Sequence, residues 1–262
     1  MARLSISRAW DETRAFLARE TRLVLPVALA FIVLPAVAGA MFAPSTISLT
    51  HPTPGLWLLA IVVAISRLLG LTVITRLALG THESLAATIR AAAVRLPALL
   101  GLLAIILIPV SLIAAPLMLR IVQSPTNPPP GPSIGLVVLA LVVLAVFVRL
   151  SLVLPVAMAG PGGALAIAKR SFALTKGNFW RLFGTILLLL ITRMILSKVV
   201  QVVIGSLLII TLGPPRPWSV SLLLLLLALQ LVDVVVSILL TVLLARVYAQ
   251  CATVASVPST GT

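Results

Sequence analysis

Arg67, Arg149, Arg193 and Lys198 lie within long apolar runs, and Asp233 is the single acid found in such a run. Insertion scales charge roughly 2.5–3.5 kcal/mol for an ionised side chain at the middle of a membrane helix. Each of these five residues therefore needs a partner, a wet cavity or a path for its stem to the interface. Two arrangements suit the arginines. In one, Arg67, Arg149 and Arg170 form a basic inner cleft for lipid phosphate, which the planar guanidinium fork fits in bidentate fashion. In the other, Arg67 and Arg149 bury their stems and carry their charge to the nearer surface. Asp233 is read through the short turn between the last two apolar runs. Aligning Leu212 with Ser219 sets Lys198 level with Asp233, with Arg193 about five residues or ~7.5 Å away along the axis. The spacing predicts Lys198 as first partner and Arg193 as second. The alternative is a protonated Asp233 bonded to Gln230, Gln201 or a backbone carbonyl.

Enzyme chemistry finds little to work with. The carboxylates are Asp11, Glu12, Glu20, Glu83 and Asp233, and the histidines are His51 and His82. There is no His-Glu-x-x-His pair for a membrane metalloprotease. His82-Glu83-Ser84 are consecutive, so on a helix they do not face one another, and they read as a helix start. Cys251 is the only cysteine, which excludes an intrachain disulfide and a multi-cysteine metal site. The expectation is a non-enzyme with no cofactor and no metal.

The elements that must position these charges are set by hydropathy. Hydrophobic residues make up 61% of the 262-residue chain and charged residues 9%, against roughly a quarter in soluble domains. Six spans each reach the ~20 residues needed to cross a bilayer core: 23–42, 56–79, 96–122, 134–159, 182–212 and 219–247. Ala38-Gly-Ala40 resembles a signal-peptidase site, but 22 residues with three acids precede the run, so the first span is expected to be retained. A net charge of +14 distributed around apolar spans points to a membrane face rather than to nucleic acid.

Lys and Arg sort by loop. Arg3, Arg8, Arg14, Arg19 and Arg22 precede the first span. Arg90 and Arg95 follow the second, and Lys169, Arg170, Lys176 and Arg181 follow the fourth. The loops 43–55 and 123–133 carry none, and Arg216 and Arg120 are the exceptions on that side. Both termini are thus expected in the cytoplasm, with the protein in a bacterial cytoplasmic (inner) membrane.

Each basic segment also carries an apolar stripe at helical spacing: Ile6, Ala9, Trp10, Thr13, Phe16 and Leu17; then Leu85, Ile89, Ala92 and Leu96; then Leu165, Ala168 and Phe172. Thr81 is expected to cap the second segment. Pro161-Gly162-Gly163 sets off the third, and Lys176-Gly177 ends it. Arg8, Arg90 and Arg170 recur at spacings near 80 residues, which predicts a threefold pseudo-repeat of interfacial helix plus hairpin. The expected fold is all-α and integral to the membrane. It is a single domain over 1–251, with an interfacial helix at 1–22, six transmembrane helices, three amphipathic helices on the cytoplasmic face and a flexible tail at 252–262.

One string is more specific. Arg149 and Pro155 sit late in the fourth span and are followed by Ala164, Arg170, Ser171, Leu174, Thr175, Lys176, Gly177, Trp180 and Arg181. This pattern resembles the bacterial membrane domain associated with glycerophosphoryl diester phosphodiesterases, with Phe172 where that family often has Trp. The resemblance implies a membrane domain and not the phosphodiesterase itself. The function expected is a non-catalytic membrane protein that binds anionic lipid headgroups or a membrane protein partner. The alternative is a lipid or small-molecule transporter or flippase, for which Pro26, Pro35, Pro109, Pro116 and Pro155 supply helix breaks.

Overall fold

In lipid the backbone must satisfy its own polar groups, and a chain this apolar does so as helix. The computed structural model describes residues 5–42, 54–80, 84–123, 130–160 and 162–255, and every regular element among them is helical. Helix α1 (Ile6–Ala28) runs through a π-turn (Leu29–Val33) into α2 (Leu34–Phe42). α3 (Pro54–Ala78), α4 (Leu85–Val122), α5 (Pro130–Arg149), α6 (Val153–Ala159), α7 (Ala164–Thr175), α8 (Phe179–Leu212) and α9 (Val220–Ala255) follow. Six helical stretches are long and apolar enough to cross a membrane, one for each expected span. His51, Thr81, His82 and Glu83 lie outside the described residues, as does 256–262 of the expected tail.

Four boundaries differ from expectation. The segment 1–22 does not form a helix of its own: α1 starts after the Ser5 cap and continues into the first span, since nothing between Arg19 and Val24 breaks a helix. Its buried Ala9, Thr13 and Phe16 fall on the expected stripe. The second basic segment is likewise continuous with its span. The observed cap is Ser84, whose Oγ accepts from the Ala87 N–H at 3.3 Å. At 38 residues, or ~57 Å, α4 is far longer than the ~30 Å hydrocarbon layer. The fourth span is broken at 150–152, because Pro155 has no N–H to return to the Ser151 carbonyl and its ring crowds that position. At the other end of the chain, α9 runs on to Ala255, past the expected limit at 251.

Pro35 has a parallel effect in the first span. It cannot donate to the Phe31 carbonyl, the helix widens into the π-turn, and Ser66 Oγ of α3 donates to that carbonyl at 2.9 Å. Gly70, one turn further along α3, makes the approach feasible: a Cβ there would stand 2.9 Å from Phe31 Cβ. α3 is thereby seated on α1–α2 with Arg67 beside the junction.

α9 is the central helix, packed against α1, α2, α3, α6 and α8. Two hydrophobic clusters share it. One joins α1, the π-turn, α2 and α3 around Val24, Ile32, Val73, Ile74, Val234 and Val242. The other gathers α6, α7, the first turns of α8 and the last part of α9 around Leu152, Val156, Ile186 and Leu243. The opposite ends are thinly packed. α4 buries nothing after Leu102, α5 buries only Val148, and α8 buries only Gly205 and Leu208 after Leu189. Large apolar side chains cover these faces, as suits contact with acyl chains.

Candidate functional site

Asp233 sits near the middle of α9 with its side chain 8% exposed, and it joins three helices. Its Oδ2 accepts from Arg67 Nη1 of α3 at 2.6 Å, and its Oδ1 is ion-paired with Arg193 Nη2 of α8. Arg67 Nη2 also donates to Ser237 Oγ at 2.9 Å. Ser237 is one turn beyond Asp233, so acid and hydroxyl present one face to a single guanidinium. Arg67 and Arg193 are 32% and 43% exposed, so the cluster carries two cations to one carboxylate with its basic side open.

The expected first partner is corrected. Lys198 does not reach Asp233; its Nζ donates to Gln201 Oε1 at 3.2 Å on the exposed side of α8. The alignment of Leu212 with Ser219 fixes height but not rotation. Five residues turn a helix by about 140°, so a residue level with Asp233 can still point away from it. Arg193 lies lower, but its long stem closes the gap. The part of Arg67 as hydrogen-bond partner of Asp233 was not foreseen. The only sequence signal for it was that both residues stand near the centres of their spans.

Arg67, Arg149 and Arg170 each meet different neighbours. Arg67 is held by Asp233 and Ser237, Arg149 lies over the Phe179 ring at 5.0 Å, and Arg170 is exposed on α7. Guanidinium groups carry only donors and meet through an anion rather than through one another, so the shared phosphate clamp stays a proposal. Asp233 holds Arg67 with α9, while Arg149 belongs to the broken end of α5.

The break explains the motif residues. With α5 ended, the Arg149 carbonyl has lost its helical donor, and Ser171 Oγ donates to it at 2.9 Å, with Thr175 Oγ1 at 3.5 Å. Both hydroxyls are fully buried. Leu174 packs on the adjacent hydrophobic cluster. α7 then stops, because Gly177 takes φ +91°, a left-handed conformation that glycine adopts without penalty. Phe179, Trp180 and Phe183 form an aromatic group at ring distances of 5.6–5.9 Å, and Trp180 is largely exposed. Arg170 and Lys176 are exposed, and Arg181 is engaged. Arg149, Pro155, Ser171, Thr175 and Gly177 thus build a broken helix and lash α7 across it. A further contact was not foreseen: Arg246 of α9 lies over the Phe16 ring at 5.2 Å.

Among the described residues no three His, Cys, Asp or Glu gather as a metal site would require. No curated protein and no solved structure matches the chain. One family model does match, over residues 129–260, and it takes in the broken helix, the α7 lashing, α8 and α9. That is about half of the chain, and with the motif residues above it shows that the chain belongs to the family of the membrane domain of glycerophosphoryl diester phosphodiesterase.

Proposed function

We propose that the chain is a non-catalytic membrane module that binds anionic lipid. The observation that carries the reading is the surplus of cations in the spans. Arg67, Arg149, Arg193 and Lys198 outnumber the single carboxylate of the spans, Asp233, and Lys198 is exposed. Charge left over in a low-dielectric layer draws an anion, and phosphate headgroups are the anions that a membrane supplies. A membrane protein partner bearing a carboxylate would answer the same charge. The test is lipid retention by the full chain. After extraction from vesicles of phosphatidylcholine and phosphatidylglycerol at 3:1, native mass spectrometry is expected to find phosphatidylglycerol enriched well above one lipid in four. Retention at the bulk ratio contradicts the reading.

Transport is the second reading, supported by the discontinuities at 29–33 and 150–152, since broken helices recur where substrates cross. The proposal keeps the bacterial cytoplasmic membrane, cytoplasmic termini, interfacial positions for the three amphipathic stretches and the threefold pseudo-repeat. Support for these comes from the loop charges and from Arg8, Arg90 and Arg170 within the first two turns of α1, α4 and α7. Orientation is tested with Lys176→Cys and Arg216→Cys, both exposed positions, in a Cys251→Ser background. An impermeant thiol reagent should label Arg216→Cys in sealed cells and reach Lys176→Cys only after the membrane is opened. The reverse pattern inverts the topology.

A further inference from the structure

Lys198 is a cation of the spans that no described carboxylate pairs with. It is exposed on α8, and its described partner is the neutral Gln201 carbonyl oxygen at 3.2 Å, which occupies one of three ammonium donors. Both oxygens of Asp233 are already taken, by Arg67 and Arg193. The other described acids, Asp11, Glu12 and Glu20, lie on α1, and a second copy of the chain would bring the same surplus of positive charge. Among the described residues no acid pairs with Lys198, and an anion from outside the chain would answer it.

The polar residues of α8 form a strip. Arg193, Ser197 and Gln201 follow one another at four-residue steps, and Lys198 flanks Gln201, which it bonds. From Arg193 to Gln201 the strip rises about 12 Å towards the Leu212 end, the end at which α4, α5 and α8 are thinly packed. We propose that this strip, at the middle of the span, docks the phosphate headgroup of an anionic lipid drawn inward from the leaflet on the Leu212 side. Lys198 and the free donors of Arg193 hold the phosphate, and Gln201 orients the ammonium. The proposal rests on the lipid-binding reading above and gives it a place.

A lipid fits this face better than a partner helix does. Close helix packing in membranes uses small residues that let backbones approach. Here the strip is bordered by Met194, Ile195, Val199, Val202 and Val203, all large and all at least half exposed. The glycine of this stretch, Gly205, is buried and lies against Leu225 of α9. Branched side chains around a cation offer acyl chains a surface and a headgroup an anchor.

The test compares variants of the full chain in the 3:1 phosphatidylcholine–phosphatidylglycerol vesicles, read by native mass spectrometry. Lys198→Gln should lower phosphatidylglycerol occupancy about tenfold, the scale of one lost charge-assisted contact. Lys198→Arg should keep most of it. Arg8→Gln, which removes the same charge at the far end, should stay within about twofold of wild type. Lys198→Gln should also melt with wild type, which separates lost binding from lost folding. Equal occupancy in Lys198→Gln and wild type overturns the location and leaves the lipid-binding reading standing. Wild type without enriched phosphatidylglycerol overturns both. A polypeptide that leaves native membranes with wild type in place of anionic lipid, and is lost in Lys198→Gln, also overturns the proposal, in favour of a partner helix.

Discussion

Asp233→Asn is expected to destabilise the detergent-solubilised protein by about 3 kcal/mol, measured by chemical or thermal unfolding. Asparagine keeps the shape and one acceptor but removes the counter-charge that Arg67 and Arg193 share. Breaking a buried ion pair by deleting one partner costs about 3–5 kcal/mol, because the other charge stays desolvated. The low end applies here, since both arginines are partly exposed. Arg67→Gln should cost less, about 2 kcal/mol, because Asp233 retains Arg193 and only Ser237 loses its donor. The asymmetry between acid and base variants is itself informative: a protonated, hydrogen-bonded Asp233 would tolerate asparagine with little loss.

The second large effect is expected at the broken fourth span. Ser171→Ala with Thr175→Val removes both hydroxyls that answer the Arg149 carbonyl and keeps the helical backbone of α7. A buried carbonyl without a donor costs about 1–3 kcal/mol, so the double variant should lose about 2 kcal/mol. The loss should be local. Hydrogen exchange should quicken at 150–156, where the break is held, and remain unchanged in α3 and in the distal half of α9. Ser171→Ala alone should account for most of it, because the Thr175 contact at 3.5 Å is too long to substitute.

Much of the architecture was legible because one physical requirement dominates it. Each apolar run must be helical in lipid, and all six appear at the expected places. The ends of helices were harder to read. The expected interfacial segment before the first span is continuous with it, since an amphipathic stripe marks a face and not a stop. Prolines were recognised as candidate breaks, but which of them act depends on neighbours. Pro109 and Pro116 stay inside α4, while Pro155 ends α5 where the Ser171 hydroxyl stands ready to take up the freed carbonyl. At the charged site the residue types were legible and the pairing was not. Axial height follows from counting residues along an antiparallel pair, but rotation does not, and rotation turned Lys198 away while Arg193 reached in. Arg67 belongs to a helix distant in sequence, and no local spacing connects it to Asp233.

The reading of lipid function depends on Asp233 being fully occupied by Arg67 and Arg193, with Lys198 left over. Double-mutant cycles measure this directly, pairing Asp233→Asn with Arg67→Gln, Arg193→Gln and Lys198→Gln in turn and following unfolding free energy in detergent. Coupling of about 1–2 kcal/mol is predicted for Arg67 and for Arg193, at the upper end of polar pairs measured within membranes. Coupling below about 0.5 kcal/mol is predicted for Lys198, the level found for residues that share no contact. A coupling to Lys198 larger than that to either arginine would make Lys198 the counter-ion of Asp233, remove the exposed surplus charge, and contradict the lipid site built on it.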